Sequence, residues 1–137
     1  MLPYEQPPGQ PHIRPYPFVW LRITDNTKNL QFASFGAIID TGADHTCIPR
    51  SVATNTPGYD YEDEWGMDFD GNPVAVRFVR ILKATVELLD AHGNVLIKKV
   101  FQNLRLPIVG ADGLLGRDIL NDNICMLDGP SQICSLK

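Results

Sequence analysis

The sequence predicts an all-β domain with one short helix near its C-terminal end. Three observations point there. Apolar and polar residues alternate over 18–23 and 82–88, the two-residue period of half-buried strands. Turns rich in Asp, Asn and Gly separate these runs. Only 50–53 and 117–122 read as helical, and both are short. A length of 137 residues suits one domain, and 44% apolar with 20% charged residues is an ordinary globular balance that argues against disorder.

In chain order, six of the eleven prolines fall in residues 1–17, a density that works against helix and strand and favours an extended or disordered arm. That arm reads as a linker, a processing segment, an interface strap or a plain flexible tail. The domain proper is expected over 18–137. Val19, Leu21 and Ile23 alternate with Trp20 and Arg22 in a first strand, and 25–29 reads as a turn. A second strand runs from about Leu30 into Ala37-Ile38-Ile39. Residues 80–101 form a hairpin, turning at 90–94 around Gly93. The second helix follows Gly116, and Asn123 could close it.

Composition removes several function classes. Sixteen acidic residues against twelve Lys and Arg give a net charge of -4, without the basic excess that nucleic-acid backbones require. No apolar run approaches the ~18 residues of a membrane span. The first residues have neither the basic start nor the apolar stretch of a secretory signal. Three scattered cysteines fit a reducing compartment, so a soluble cytoplasmic protein without nucleic-acid or membrane partners is expected. His12, His45 and His92 have no metal-ligand spacing, and no Cys-x-x-Cys occurs, so neither a metal nor another cofactor is expected. Cys47 reads as a buried apolar residue.

The chemistry concentrates in Ala37-Ile38-Ile39-Asp40-Thr41-Gly42-Ala43-Asp44. Two β-branched residues lead into an aspartate, which places a carboxylate at the end of a buried strand. Gly42 lets the backbone turn and bring its N–H to that carboxylate, and the Thr41 hydroxyl can fix the loop. Alone, Asp-Thr-Gly also reads as an ordinary turn. Some seventy residues later stands Leu114-Leu115-Gly116-Arg117-Asp118-Ile119-Leu120, an apolar pair and a glycine entering a helix. With both motifs in this order, the chain resembles the retropepsin-like aspartic proteases, the single-lobe relatives of pepsin that include the retroviral proteases.

The resemblance implies a closed barrel with a flap hairpin, acting as an aspartic endopeptidase on polypeptides. It matches Asp40 to the catalytic aspartate, with Thr41, Gly42 and Ala43 supporting the loop. Gly42 and Asp44 match residues that bind substrate backbone. Arg117 matches an arginine that pairs with Asp44, the alternative being a charge on a helix surface. His45 stands where it could line a subsite or simply face solvent. The flap is expected near 64–74, with Asp70-Gly71 as turn and Trp65, Met67 and Phe69 as its apolar, substrate-facing side; a surface hairpin without a gating role is the alternative. An acidic run over 60–63 just before it departs from the retroviral pattern. Near the C-terminus, Ile133 and Leu136 could join an intersubunit sheet or cap their own barrel.

One carboxylate is not enough for metal-free peptide hydrolysis, which needs a base for water and an acid for the carbonyl oxygen. Two carboxylates about 3 Å apart share one proton and supply both, as is known for aspartic proteases. The chain holds a single Asp-Thr-Gly and no Asp-Ser-Gly, so the reading demands a homodimer with Asp40 of each copy on the axis. Two rivals stand beside it: a catalytically silent module of the same fold that binds peptides or dimerises, and an unrelated β-barrel binding protein.

Overall fold

The computed structural model describes Leu2–Pro3 and residues 17–67, 70–110, 112–121, 125–128 and 133–136. Its strands are β1 (Leu2–Pro3), β2 (Phe18–Asp25), β3 (Leu30–Gln31), β4 (Phe35–Ile39) and β5 (Ile48–Pro49). Helix α1 (Arg50–Thr54) leads to β6 (Asp60–Met67), β7 (Pro73–Leu89), β8 (Val95–Val109) and β9 (Gly113–Leu115). Helix α2 (Arg117–Leu120), β10 (Cys125–Asp128) and β11 (Ile133–Leu136) complete the chain. The domain is all-β, as the alternation requires.

The main sheet has the order β5-β8-β7-β2-β4-β9, with β3 on β2 and β6 on β7. Its pairings are antiparallel except β4 with β9 and β5 with β8. The two end strands meet at one residue pair, where Cys47 and Leu114 exchange backbone hydrogen bonds of 2.8 and 3.2 Å. The inward residues of β2 (Val19, Leu21, Ile23) are wholly buried against Val79, Ile81, Val86, Leu88, Leu106, Leu115 and Ile119. Burial of this apolar surface is the main stabilising term.

Three expectations need correction. The second strand is broken in two: β3 pairs with β2 as Thr24↔Gln31, while β4 pairs as Leu21↔Phe35, so one extra residue enters between them. The insertion lets Phe32 and Phe35, three positions apart, both point into the core; an unbroken strand would send them to opposite faces. Second, α2 ends at Leu120 with Asn121 as its cap, short of the expected 122; Asn123 lies outside the described residues. Third, proline density does not keep the arm wholly out of sheet. Leu2–Pro3 pairs with Ile133–Cys134 at the edge of a second sheet, β1-β11-β10, an edge position where Pro3 donates no ladder bond. The ends of the chain therefore pair with each other.

The 80–101 hairpin is longer than its sequence signal, because β7 runs on past the core. From Phe78 to Leu89 it pairs with β8, but over Pro73–Arg77 its only partner is β6. The segment 63–67 with 73–77 is thus a two-stranded arm standing out from the body. Its turn uses Gly71 at φ +80°, a conformation open to glycine.

Candidate active site

β4 ends at Ile39, and Asp40 follows directly. The Asp40 N–H donates to the Leu115 carbonyl at 3.0 Å, so the parallel β4–β9 pairing places this residue. The chain then turns: the Gly42 N–H donates to Asp40 Oδ1 at 2.9 Å and the Ala43 N–H to the Asp40 carbonyl at 3.2 Å. Asp40 is half-buried, whereas Thr41 and Gly42 are exposed. The result is a strand-end carboxylate oriented by backbone, on a surface open to solvent.

The loop is tied to α2 by two sets of contacts. The Arg117 N–H donates to the Ala43 carbonyl at 2.8 Å, and the Arg117 guanidinium pairs with Asp44, both side chains well exposed. Beneath them lies a brace that sequence reading missed. Thr46 is fully buried; its hydroxyl donates to Asp118 Oδ1 at 2.6 Å and its N–H meets the same carboxylate at 2.9–3.0 Å. The Gly116 N–H in turn donates to the Thr46 hydroxyl at 3.0 Å. The available signal was a carboxylate directly after Gly116-Arg117 and a hydroxyl residue two places after Asp44. Gly116 itself admits no side chain, since a Cβ there would sit 2.5–2.9 Å from the backbone of His45 and Thr46.

Cys47 closes the loop. Burial pushes its thiol up to about 11, with the negative charges of Asp118 and Asp40 adding to the effect, so it is no nucleophile at neutral pH. Asp25, the one buried acid among the described residues, serves elsewhere: its Oδ1 accepts the N–H groups of Thr27 and Lys28 in the β2–β3 turn.

His45 is exposed, and its ring meets the ring of Phe78 edge-on at 5.9 Å. That contact decides which side of the β6–β7 hairpin lies toward the loop. Directly paired residues share a face, so Phe78 lies with Val74, Val76, Glu62, Glu64 and Gly66. Trp65 and Met67 lie on the opposite face, 79% and 73% exposed, beside Tyr61 and Arg77. The structure therefore brings Asp40, Gly42, Asp44, His45 and Arg117 together, and leaves Trp65 and Met67 on the far side of the hairpin. Phe69 lies outside the described residues.

A single lobe of sheet thus presents Asp-Thr-Gly at a strand end, tied to Gly-Arg at the next helix, the arrangement in which the sequence resembles the retropepsin-like aspartic proteases. The comparisons agree: the retroviral aspartyl protease family model matches residues 14–128, and the chain belongs to that family. Among solved structures it is similar to the EIAV protease complexed with the inhibitor HBY-793, at 21% identity over 80% of this chain and 89% of that one, TM-score 0.42. It is also similar to a retropepsin-like aspartic protease from Rickettsia conorii, at 16% identity over 81% and 86%, TM-score 0.44. No curated protein sequence matches.

Proposed function

We propose that the protein is an aspartic endopeptidase working as a homodimer, with Asp40 of each copy on the two-fold axis. Family membership supports the reaction class, and the observation that carries the residue assignment is Asp40 Oδ1 held by the Gly42 N–H at 2.9 Å in the chain's single Asp-Thr-Gly. One carboxylate takes a proton from water as its oxygen adds to the scissile carbonyl carbon. The protonated mate gives its proton to the carbonyl oxygen. In the collapse of the resulting diol the C–N bond breaks, the amine takes the proton from the first carboxyl, and a diol hydroxyl gives its proton to the mate, returning the pair to its starting state.

Substrate is a polypeptide bound in extended form, with Gly42 and Asp44 meeting its backbone and His45 lining a subsite. The β6–β7 arm is the flap, its Gly66 and Val76 side facing the cleft. The N-terminal arm over 1–17 precedes the catalytic domain and joins it where Leu2–Pro3 pairs with β11. A cytoplasmic setting suits the odd cysteine count, and among the described residues no helix is long and apolar enough to cross a membrane.

The test pairs wild type with Asp40→Asn on a denatured protein mixture at about pH 5, beside sedimentation of both. Cleavage by wild type alone, from a dimeric species, is expected. Equal cleavage by both removes Asp40 from the mechanism; no cleavage by either leaves a peptide-binding module; a strict monomer excludes the shared site.

A further inference from the structure

The acidic run on β6 is foreign to the catalytic reading, yet in the structure every one of its carboxylates has a cationic partner. Asp60 meets Lys28 at 2.7 Å, and Asp63 meets Arg77 through two bonds of 2.8 and 3.0 Å. Glu62 meets Arg80 at 2.5 Å and Arg105 at 3.3 Å, and Glu64 is paired with Arg105. Two of these partners, Arg77 and Arg80, sit on β7, the neighbouring strand of the same hairpin, and Lys28 sits in the β2–β3 turn. Arg105 does neither. It lies on β8, opposite Arg80, and reaches diagonally over β7 to two successive glutamates on the loop-facing side of β6.

Its surroundings set Arg105 apart further. The guanidinium lies over the Phe78 ring at 4.5 Å, and that ring's other neighbour is His45, next to Asp44. The Arg105 Nε is buried and has no hydrogen-bond partner among the described residues. A buried donor left unpaired is unfavourable, so the side chain is held by its stacking and by Nη2, which bonds both glutamates. One continuous set of contacts thereby runs from the active-site loop through His45, Phe78 and Arg105 to Glu62 and Glu64. Beyond Glu62 the hairpin is a two-stranded arm, and such a ribbon has little stability of its own.

We propose that Arg105 is a flap-positioning residue: by holding Glu62 and Glu64 from β8 while stacked on Phe78, it sets the resting position of the β6–β7 arm over the active-site loop. The acidic strand is the counterpart that makes this hold possible. Arg105 touches neither substrate nor the reacting atoms. The inference rests on the protease reading only where it predicts kinetics; the position of the arm stands independently of activity.

The chain has two tryptophans, Trp20 in β2 and Trp65 on the arm. A Trp20→Phe background therefore makes Trp65 a single reporter of arm motion. In that background Arg105→Gln and Glu64→Gln should each lower Trp65 anisotropy and speed its quenching by acrylamide. The double variant should go no further than either single one, because the two side chains act as one contact. Adding 0.5 M NaCl, roughly enough to shrink the screening length to a few Å, should reproduce the effect in the parent and change little in Arg105→Gln. With active enzyme, Arg105→Gln should raise KM roughly two- to fivefold and leave kcat nearly unchanged, with partial recovery in Arg105→Lys.

Unchanged anisotropy in both single variants overturns the proposal, as does simple additivity in the double variant. If Arg105→Gln fails to fold, Glu64→Gln at its half-exposed position and the salt series decide alone. Loss of all proteolysis with the Trp65 response intact would defeat the enzyme assignment and leave the positioning role standing.

Discussion

The loop over 40–47 and the β6–β7 hairpin touch through the rings of His45 and Phe78 and are held by opposite means. The loop is fixed by backbone hydrogen bonds, a buried hydroxyl–carboxylate brace and a glycine packed against its peptide groups. The arm is fixed by exposed ion pairs and one cross-strand ladder. Contacts of the first kind are short, directional and shielded from water, so they hold one geometry. Contacts of the second kind are screened by salt and weak one by one. Under the proposed function the difference suits each part: a reacting carboxylate would have to stay oriented, while a flap would have to open.

The comparison can be broken hardest at its chemical centre. Asp40→Asn should lower kcat/KM by about a thousandfold or more while leaving the fold and its melting curve in place, because Asn still accepts the Gly42 N–H. A large stability loss in this variant would mean that the carboxylate has a structural task. Next comes Gly116→Ala, whose methyl group meets peptide groups of His45 and Thr46 that cannot yield. We expect about 3 kcal/mol of destabilisation in urea titration. Thr46→Val keeps shape but removes the hydroxyl, leaving the Gly116 N–H and an Asp118 oxygen short of a partner. A loss of about 2 kcal/mol by the same titration is expected, with activity falling in step.

The scaffold between the two regions offers a pH test. The Arg22 guanidinium, bonded to Glu87 at 2.9 and 3.0 Å, holds that carboxyl below the usual glutamate range. A lowered native pKa means that the pair's stabilisation is complete above the ordinary glutamate value near 4.3 and is lost as pH falls through the lower, folded-state value. Glu87→Gln should be less stable than wild type at pH 7, and the gap should close under acid. A gap constant with pH would count against the pair. At the bottom of the scale, Asp63→Asn cuts one exposed arm contact and should leave the melting midpoint within roughly 2 °C of wild type. A shift as large as that of Thr46→Val would erase the contrast between loop and arm.

Much of the site was readable because its determinants are local. Asp40, Thr41 and Gly42 adjoin a strand whose burial follows from its own alternation, and Gly116-Arg117 lies at a helix entrance of equally short range. The Thr46–Asp118 brace was not readable: one residue is a common threonine and the other an acid in a short helix, and only their meeting across 72 positions gives them meaning. The arm shows the same limit in another form. Trp65, Met67 and Phe69 read as one apolar face, and their two-residue spacing does put the described pair on a common side. Which side that is depends on how β7 pairs with β8 and where His45 meets Phe78, and that contact turns Trp65 and Met67 away from the loop.

Taken alone, the amino-acid order determined the β architecture and the two motifs and raised the expectation of a second carboxylate, since period, turn chemistry and the count of Asp-Thr-Gly are properties of neighbouring residues. Tertiary structure decided the split between β3 and β4, the joining of the chain ends in one small sheet, the brace under the loop and the pairing of the acidic strand. Each of those depends on residues far apart in the chain competing for the same space or the same charge. That competition is settled only when the chain closes on itself.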